Sequence, residues 1–174
     1  MKQAISLPYE SASSETEKID ALEFARDHRS LDESMSLTDF QRLADVLLEN
    51  EGVLRVKLEG MRDEEGVSWL SLAVEGSLVL TCQRCLGRLQ LPLKLDNRLQ
   101  LVTNQDDWSD VDLENDAFDI LLAESPVSVQ DLVEDEVILA LPVSPMHENC
   151  DMLVSGSGGQ EASPFAALAK LKKH

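Results

Sequence analysis

The feature that most constrains this chain is a two-residue alternation of apolar and polar side chains. In "RLQLPLKLDNRLQLV", residues 88–102, Leu89, Leu91, Leu93 and Leu95 alternate with Arg88, Gln90 and Lys94. Successive side chains of an extended strand point to opposite faces, so this pattern places one face in a core and the other in water. "VLRVKLEGM" repeats it, with Leu54, Val56 and Leu58 set against Val53, Arg55, Lys57 and Glu59. "VSWLSLAVEGSLVLTC" carries it on through Trp69, Leu70, Leu72, Val74, Leu78 and Leu80. Three or four consecutive segments of this kind predict an antiparallel meander with one wet face. Gly66 in "RDEEG" suits the turn between the first two. Pro92 has no N–H to give to a ladder, which predicts an edge or a bulge there.

Helical periods flank the strands. "SLTDFQRLADVLLEN" pairs Thr38 with Gln41 as a capping box, with Leu37 as a staple and Phe40, Leu43, Ala44, Leu47 and Leu48 as an apolar stripe stopped by Gly52. "SVQDLVEDEVILALP" has Ser128 as N-cap, Asp131 at the third helical position and a stripe of Leu132, Val133, Val137 and Leu141 ended by Pro142. Glu134, Asp135 and Glu136 fall mid-helix, where some must face solvent. "KQAISLP" reads as a short edge strand, "SASSETEKIDALEF" as a helix and "FDILLAE" as a short strand. "SGSGGQEASP" reads as a flexible linker and "PFAALAKLKK" as a short terminal helix. The predicted architecture is a single α+β domain over residues 1–154, its antiparallel sheet (a meander or a partly closed barrel, about residues 52–123) flanked by helices. Residues 155–174 form the linker and a basic helix.

A length of 174 residues suits one such domain, which buries roughly 70% of its unfolded surface. Aromatic residues make up only 4%, so Leu and Val must fill the core. No apolar run approaches the ~20 residues of a membrane span and no secretory leader opens the chain, which predicts a soluble, cytoplasmic protein. Charge is segregated. The net charge is −18, yet Arg84, Arg88, Lys94 and Arg98 lie close together, opposed there only by Asp96. Twelve acids occupy Asp106 to Glu136, no Lys or Arg occurs from Leu99 to Ala169, and the tail turns basic at Lys170, Lys172 and Lys173. Uniform nucleic-acid binding is disfavoured by such a balance, whereas a localised cationic strip or an acidic protein-binding face is not.

The only cysteines fall in "TCQRCLG" and "HENC". Cys82-x-x-Cys85 with Gly87 beyond it has the form of a metal knuckle, and His147-x-x-Cys150 repeats the two-residue gap. Together they supply a Cys₃His set, a normal count for structural Zn²⁺. Two other readings stand beside it. Cys82 and Cys85 fit buried reduced thiols near a strand end, with Cys150 incidental. They also fit a thiol–disulfide pair, though that chemistry calls for a CxxC opening a helix, and the flanks here are strand-like. Three clustered cysteines argue against a secreted disulfide framework.

Arg84, held between two thiols, would present a cation suited to phosphate or carboxylate. Arg88, Lys94 and Arg98 would extend it as a strip along one strand face, against the plainer reading of solvated surface charge. "DLENDAFD" begins like a calcium loop but has Ala117 and Ala123 where Gly and Glu are needed. "SGSGG" lacks the Lys and hydroxyl of a phosphate loop, and none of His28, His147 and His174 sits in a nucleophile or HExxH context. Nothing points to catalysis.

The order "CQRCLG", acid-rich loop, "DLVEDEVILALPVSPMHENC" and "PFAALAKLKK" resembles the YceD family, named for accumulation of the large ribosomal RNA subunit, from about residue 70 onward. The resemblance implies a role in the synthesis, processing or stability of large-subunit (23S) rRNA and no catalytic residue. Taken with the residues, it predicts a non-enzymatic ribosome biogenesis factor acting by binding. Cys82, Cys85, His147 and Cys150 would hold zinc. Arg84, Arg88, Lys94, Arg98, Lys170, Lys172 and Lys173 would touch an rRNA precursor. The alternative is an acidic module that holds a basic ribosomal protein without RNA contact.

Overall fold

A computed structural model describes residues 18–103, 117–124 and 126–151. In chain order the elements are β1 (Lys18–Ile19), α1 (Ala21–Arg26), β2 (Ser30–Ser36), α2 (Gln41–Ala44), β3 (Val53–Arg62), β4 (Ser68–Thr81), β5 (Arg88–Val102), β6 (Asp119–Leu122), β7 (Val127–Ser128) and α3 (Val129–Ala140). The fold is α+β. β2 to β6 form an open five-stranded sheet in sequential order, and β1 pairs with β7 in a separate ribbon. β2 through β5 make the antiparallel meander that the alternation predicts, so the barrel alternative is set aside. β6 departs from it by running parallel to β5, Leu99 opposite Asp119. The expected N-terminal strand, the acidic loop over 104–116, the linker and the basic tail helix lie outside the described residues.

Leu54, Val56 and Leu58 of β3, with Leu70, Leu72 and Val74 of β4, are fully buried on one sheet face beneath Phe24 of α1 and Val133 and Val137 of α3. Each such side chain contributes about 1.5–3 kcal/mol of burial. Helix α1 lies so close to β3 that a Cβ at Gly60 would stand 2.4 Å from the Phe24 carbonyl oxygen. The opposite face carries Arg55, Lys57, Lys94 and Arg98 in solvent. Gly66 adopts the positive φ, 87°, expected at the β3–β4 turn. β6 covers only Leu99–Val102, which leaves Pro92 on a stretch of β5 whose described neighbour is β4 alone.

The long helix expected from residue 38 is corrected. A 3₁₀ turn at Leu37–Asp39 and the four-residue α2 replace it, because Phe40 is extended (φ −91°, ψ 105°). Ser36, rather than Thr38, caps the turn. Beyond α2 the chain joins the sheet: the Leu48 N–H donates to the Val79 carbonyl at 2.7 Å and Glu49 bridges to Val79. Helix α1 likewise starts later than expected, at Ala21 under an Asp20 cap. The wet edge strand β2 has no alternation to announce it.

α3 matches its reading, including Ser128 as N-cap over the Asp131 N–H. Two acids of its polar triplet are nevertheless buried. Glu134 receives the N–H groups of Arg42 and Leu43 at 2.6 and 2.9 Å and the Arg42 guanidinium at 2.9 Å, so a remote carboxylate caps α2. Burial opposes its ionisation, but those backbone donors and the guanidinium overcome it and hold its pKa below the ordinary 4.5. Glu136 accepts one bond from the Asn97 side chain at 2.6 Å. Burial dominates there, helped by the Asp119 and Asp135 charges against the Asn97 amide, and its pKa rises. The two glutamates therefore act oppositely with pH. Glu134 stabilises the fold above the ordinary carboxylate range and loses that contribution as pH falls, whereas Glu136 is most favourable at low pH and costs stability as pH rises. We expect Glu134→Ala to lose about 2–3 kcal/mol near neutral pH, less under acid, and Glu136→Gln to gain on the order of 1 kcal/mol at neutral pH. Urea unfolding at several pH values measures both.

Candidate metal centre

Pairing of β4 with β5 runs from Trp69 opposite Gln100 to Thr81 opposite Arg88. This long hairpin carries "CQRCLG" as its tip. The tip is closed by the Cys82 N–H on the Gly87 carbonyl and the Leu86 N–H on the Cys82 carbonyl, both at 2.9 Å. Pro142 follows α3, and the next residues run back over the tip, where the Pro145 carbonyl accepts the Gln83 N–H at 2.8 Å.

This docking brings Cys82, Cys85, His147 and Cys150 together, with all four ligand atoms within 4.8 Å of one another. Cys82 and Cys150 sulfurs are 3.7 Å apart, and Cys85 Sγ lies 3.4 Å from His147 Nδ1. A tetrahedral ion with bonds of about 2.3 Å to sulfur and 2.0 Å to nitrogen would require S–S and S–N edges of about 3.8 and 3.5 Å. The donor set fits such an ion. The imidazole orientation fits as well: Nε2 lies 3.0 Å from the Arg88 carbonyl, so its proton goes there and Nδ1 keeps a free lone pair toward the sulfurs.

The electrostatics favour thiolate. Cys82 is buried, which opposes ionisation, but N–H groups of Cys85, His147 and Arg84 surround its sulfur and bring its pKa down to about 5. At Cys85 the Gly87 N–H favours the thiolate, yet burial and the neighbouring Cys82 and Cys150 sulfurs outweigh it and raise the pKa. Three thiols at one point cannot all ionise without a cation among them.

Arg84 answers part of that demand. Its Nε donates to Cys150 Sγ at 3.1 Å, and Nη2 donates to the His147 and Glu148 carbonyls at 2.5 and 3.3 Å. The side chain read from the sequence as an outward cation is thus turned into the cluster. Arg88 forms a two-pronged pair with Glu49 at 2.7 and 2.9 Å. Lys94 stands 3.7 Å from Glu75, and the Arg98 guanidinium lies 4.8 Å over the Trp69 ring. Lys170, Lys172 and Lys173 lie outside the described residues. The inward turn of Arg84 had no signal in the sequence. The left-handed conformation of Leu86, φ 56°, had at best the following Gly87 to mark an irregular turn.

The fold is α+β, and its hairpin tip and post-helix loop bring together a Cys₃His set whose geometry is compatible with a metal site. The chain is a member of the YceD family: the family model described as Large ribosomal RNA subunit accumulation protein YceD matches residues 70–172, a span that includes all four clustered residues. Membership carries a role in the accumulation of large-subunit ribosomal RNA. No curated protein and no solved structure matches the chain. No helix among the described residues is long and apolar enough to cross a membrane.

If Arg84 ties the loop to the tip, its removal should open that contact. Arg84→Ala should speed hydrogen exchange at the Gln83 amide about tenfold or more, and Arg84→Lys, which keeps the charge but not the fork, by less. Exchange monitored by NMR reads this amide directly.

Proposed function

We propose that the protein is a non-catalytic factor in ribosome biogenesis, working in the cytoplasm by binding, and needed for synthesis, processing or stability of 23S rRNA. In this reading Cys82, Cys85, His147 and Cys150 hold one Zn²⁺ as a structural clamp. The family match carries the role. The clamp is supported by the closed donor set: four protein ligands fill a tetrahedral ion and leave no position for substrate, the pattern of structural zinc. Zinc with three thiolates has one residual negative charge, and the Arg84 guanidinium on Cys150 offsets it.

Of the two ways to act, we favour holding a basic ribosomal protein over gripping RNA. Arg84 on the hairpin tip and Arg88 at the start of β5 are both directed at groups of their own chain, the Cys150 sulfur and the Glu49 carboxylate. Direct RNA contact would fall to Lys94, Arg98 and the basic tail.

Elemental analysis of protein purified under reducing conditions should find about one zinc per chain, with Cys82→Ser and His147→Ala reducing it to a small fraction and lowering the thermal midpoint by several degrees. Metal-free protein with an unchanged midpoint would end the clamp. For the role, depletion in cells should lower large-subunit rRNA relative to small-subunit rRNA, and an unchanged ratio would remove it.

A further inference from the structure

Leu86 is a large apolar side chain at the metal centre that neither the cluster nor the core uses. It sits at the knuckle tip with φ 56°, in the left-handed region, and is 63% exposed. A residue with a Cβ costs about 1–2 kcal/mol there, and a glycine would cost far less. Among the described residues the other non-glycine residue with positive φ is His28, which follows α1, where left-handed residues commonly end helices. Leu86 likewise closes a helical turn, its N–H donating to the Cys82 carbonyl at 2.9 Å, but its exposed side chain returns little burial energy to its own chain.

It also has company at that end of the sheet. Met146, next to the ligand His147, is 52% exposed, and Val143, two residues before the Pro145 that docks on the tip, is fully exposed. Leu48, whose N–H bonds the Val79 carbonyl near the end of β4, is another exposed large apolar side chain. Single exposed aliphatics are ordinary, but here they lie on segments that are hydrogen-bonded together at one end of the sheet, the arrangement of an interaction site.

Charge identifies the partner's class. The same segments carry the exposed acids Asp45, Glu51, Glu148 and Asp151. Arg84 and Arg88 are directed at the Cys150 sulfur and at Glu49. Phosphate would meet repulsion here, and aliphatic tips offer bases no stacking surface. We propose that the knuckle end is a docking site for a basic polypeptide segment bearing apolar side chains, with Leu86 as the anchor. The proposal deepens the reading above and rests on its claim that the protein acts by binding.

Strain makes the test two-sided. Leu86→Asn, which tolerates the left-handed region, should leave the zinc content unchanged and the thermal midpoint unchanged or higher, while weakening binding about tenfold or more. The probes are the extracted proteins of the large ribosomal subunit and, separately, its deproteinised rRNA, each offered to the full chain at graded salt. A photo-reactive residue at Val143 in cells should give adducts with an identified basic ribosomal protein, and Met146→Asp should abolish them. A destabilised Leu86→Asn would make the side chain structural and overturn the proposal. So would undiminished binding, no adduct, or adducts on rRNA, on residues 152–174 of the chain itself or on a second copy. Depletion with an unchanged rRNA ratio alongside intact protein adducts would sink the ribosomal role and leave the docking site standing, so the two failures can be told apart.

Discussion

The structure turns on the junction between the β4–β5 hairpin tip and the loop that follows α3. Without it, one of the longest strand pairings in the fold would end in an unsupported turn, and the loop beyond Pro142 would have little to lie against. The junction is made by few contacts of high strength: the Gln83 N–H on Pro145, the Arg84 fork on two loop carbonyls and a sulfur, and four soft ligands at one point. Closing some sixty residues of chain between Cys85 and His147 carries an entropic cost that grows only logarithmically with length. That cost is modest for so long a segment, and the hydrogen bonds at the junction work against it.

The middle of α3 is tied to the rest of the fold by a carboxylate. Glu134 does for α2 what an N-cap residue would do, from the neighbouring helix α3, because Phe40 offers no side-chain oxygen. Glu136, two residues on, lies almost as deep but has a single amide as donor, and the Asn97 amide also donates a hydrogen bond to Asp119. Both side chains are buried, so what surrounds each decides the direction of its pKa: two N–H groups and a guanidinium on Glu134, one amide and two neighbouring carboxylates on Glu136. The same helix thus carries one acid that fastens α2 to α3 and one that is held at a cost near neutral pH.

How much of this was legible depends on whether the signal was periodic. Strict alternation announced β3, β4 and β5, and it correctly put Leu54, Leu70 and Leu93 on the core face. Ser128 and its stripe announced α3. The failures lie where a remote group outweighed local preference. "SLTDFQRLADVLLEN" has a good helical stripe, but the pull of Glu134 on two N–H groups and the pairing of Leu48 with β4 divert the chain after one turn. Edge strand β2 packs too little to need a pattern, and the parallel sense of β6 depends on a connection rather than on its own four residues. The cluster itself was readable from the paired two-residue gaps. What could not be read was the aim of Arg84, since a fork between two cysteines points outward or inward with equal ease in a sequence.

That aim changes how the acidity of the chain should be understood. Judged by position, Arg84 and Arg88 looked like cations offered to a phosphate backbone. In the fold, one donates to the Cys150 sulfur within the cluster and the other fastens the segment after α2 to the start of β5 through Glu49. Cations spent on internal anions contribute little outward field, so the region beside the knuckle is more anionic toward a ligand than its sequence suggests. For RNA, each contact there would have to break an existing pair before neutralising a phosphate. For a lysine- or arginine-rich protein segment the same surface is already complementary, and the exposed aliphatic side chains around the tip supply the short-range part of recognition that charge alone lacks.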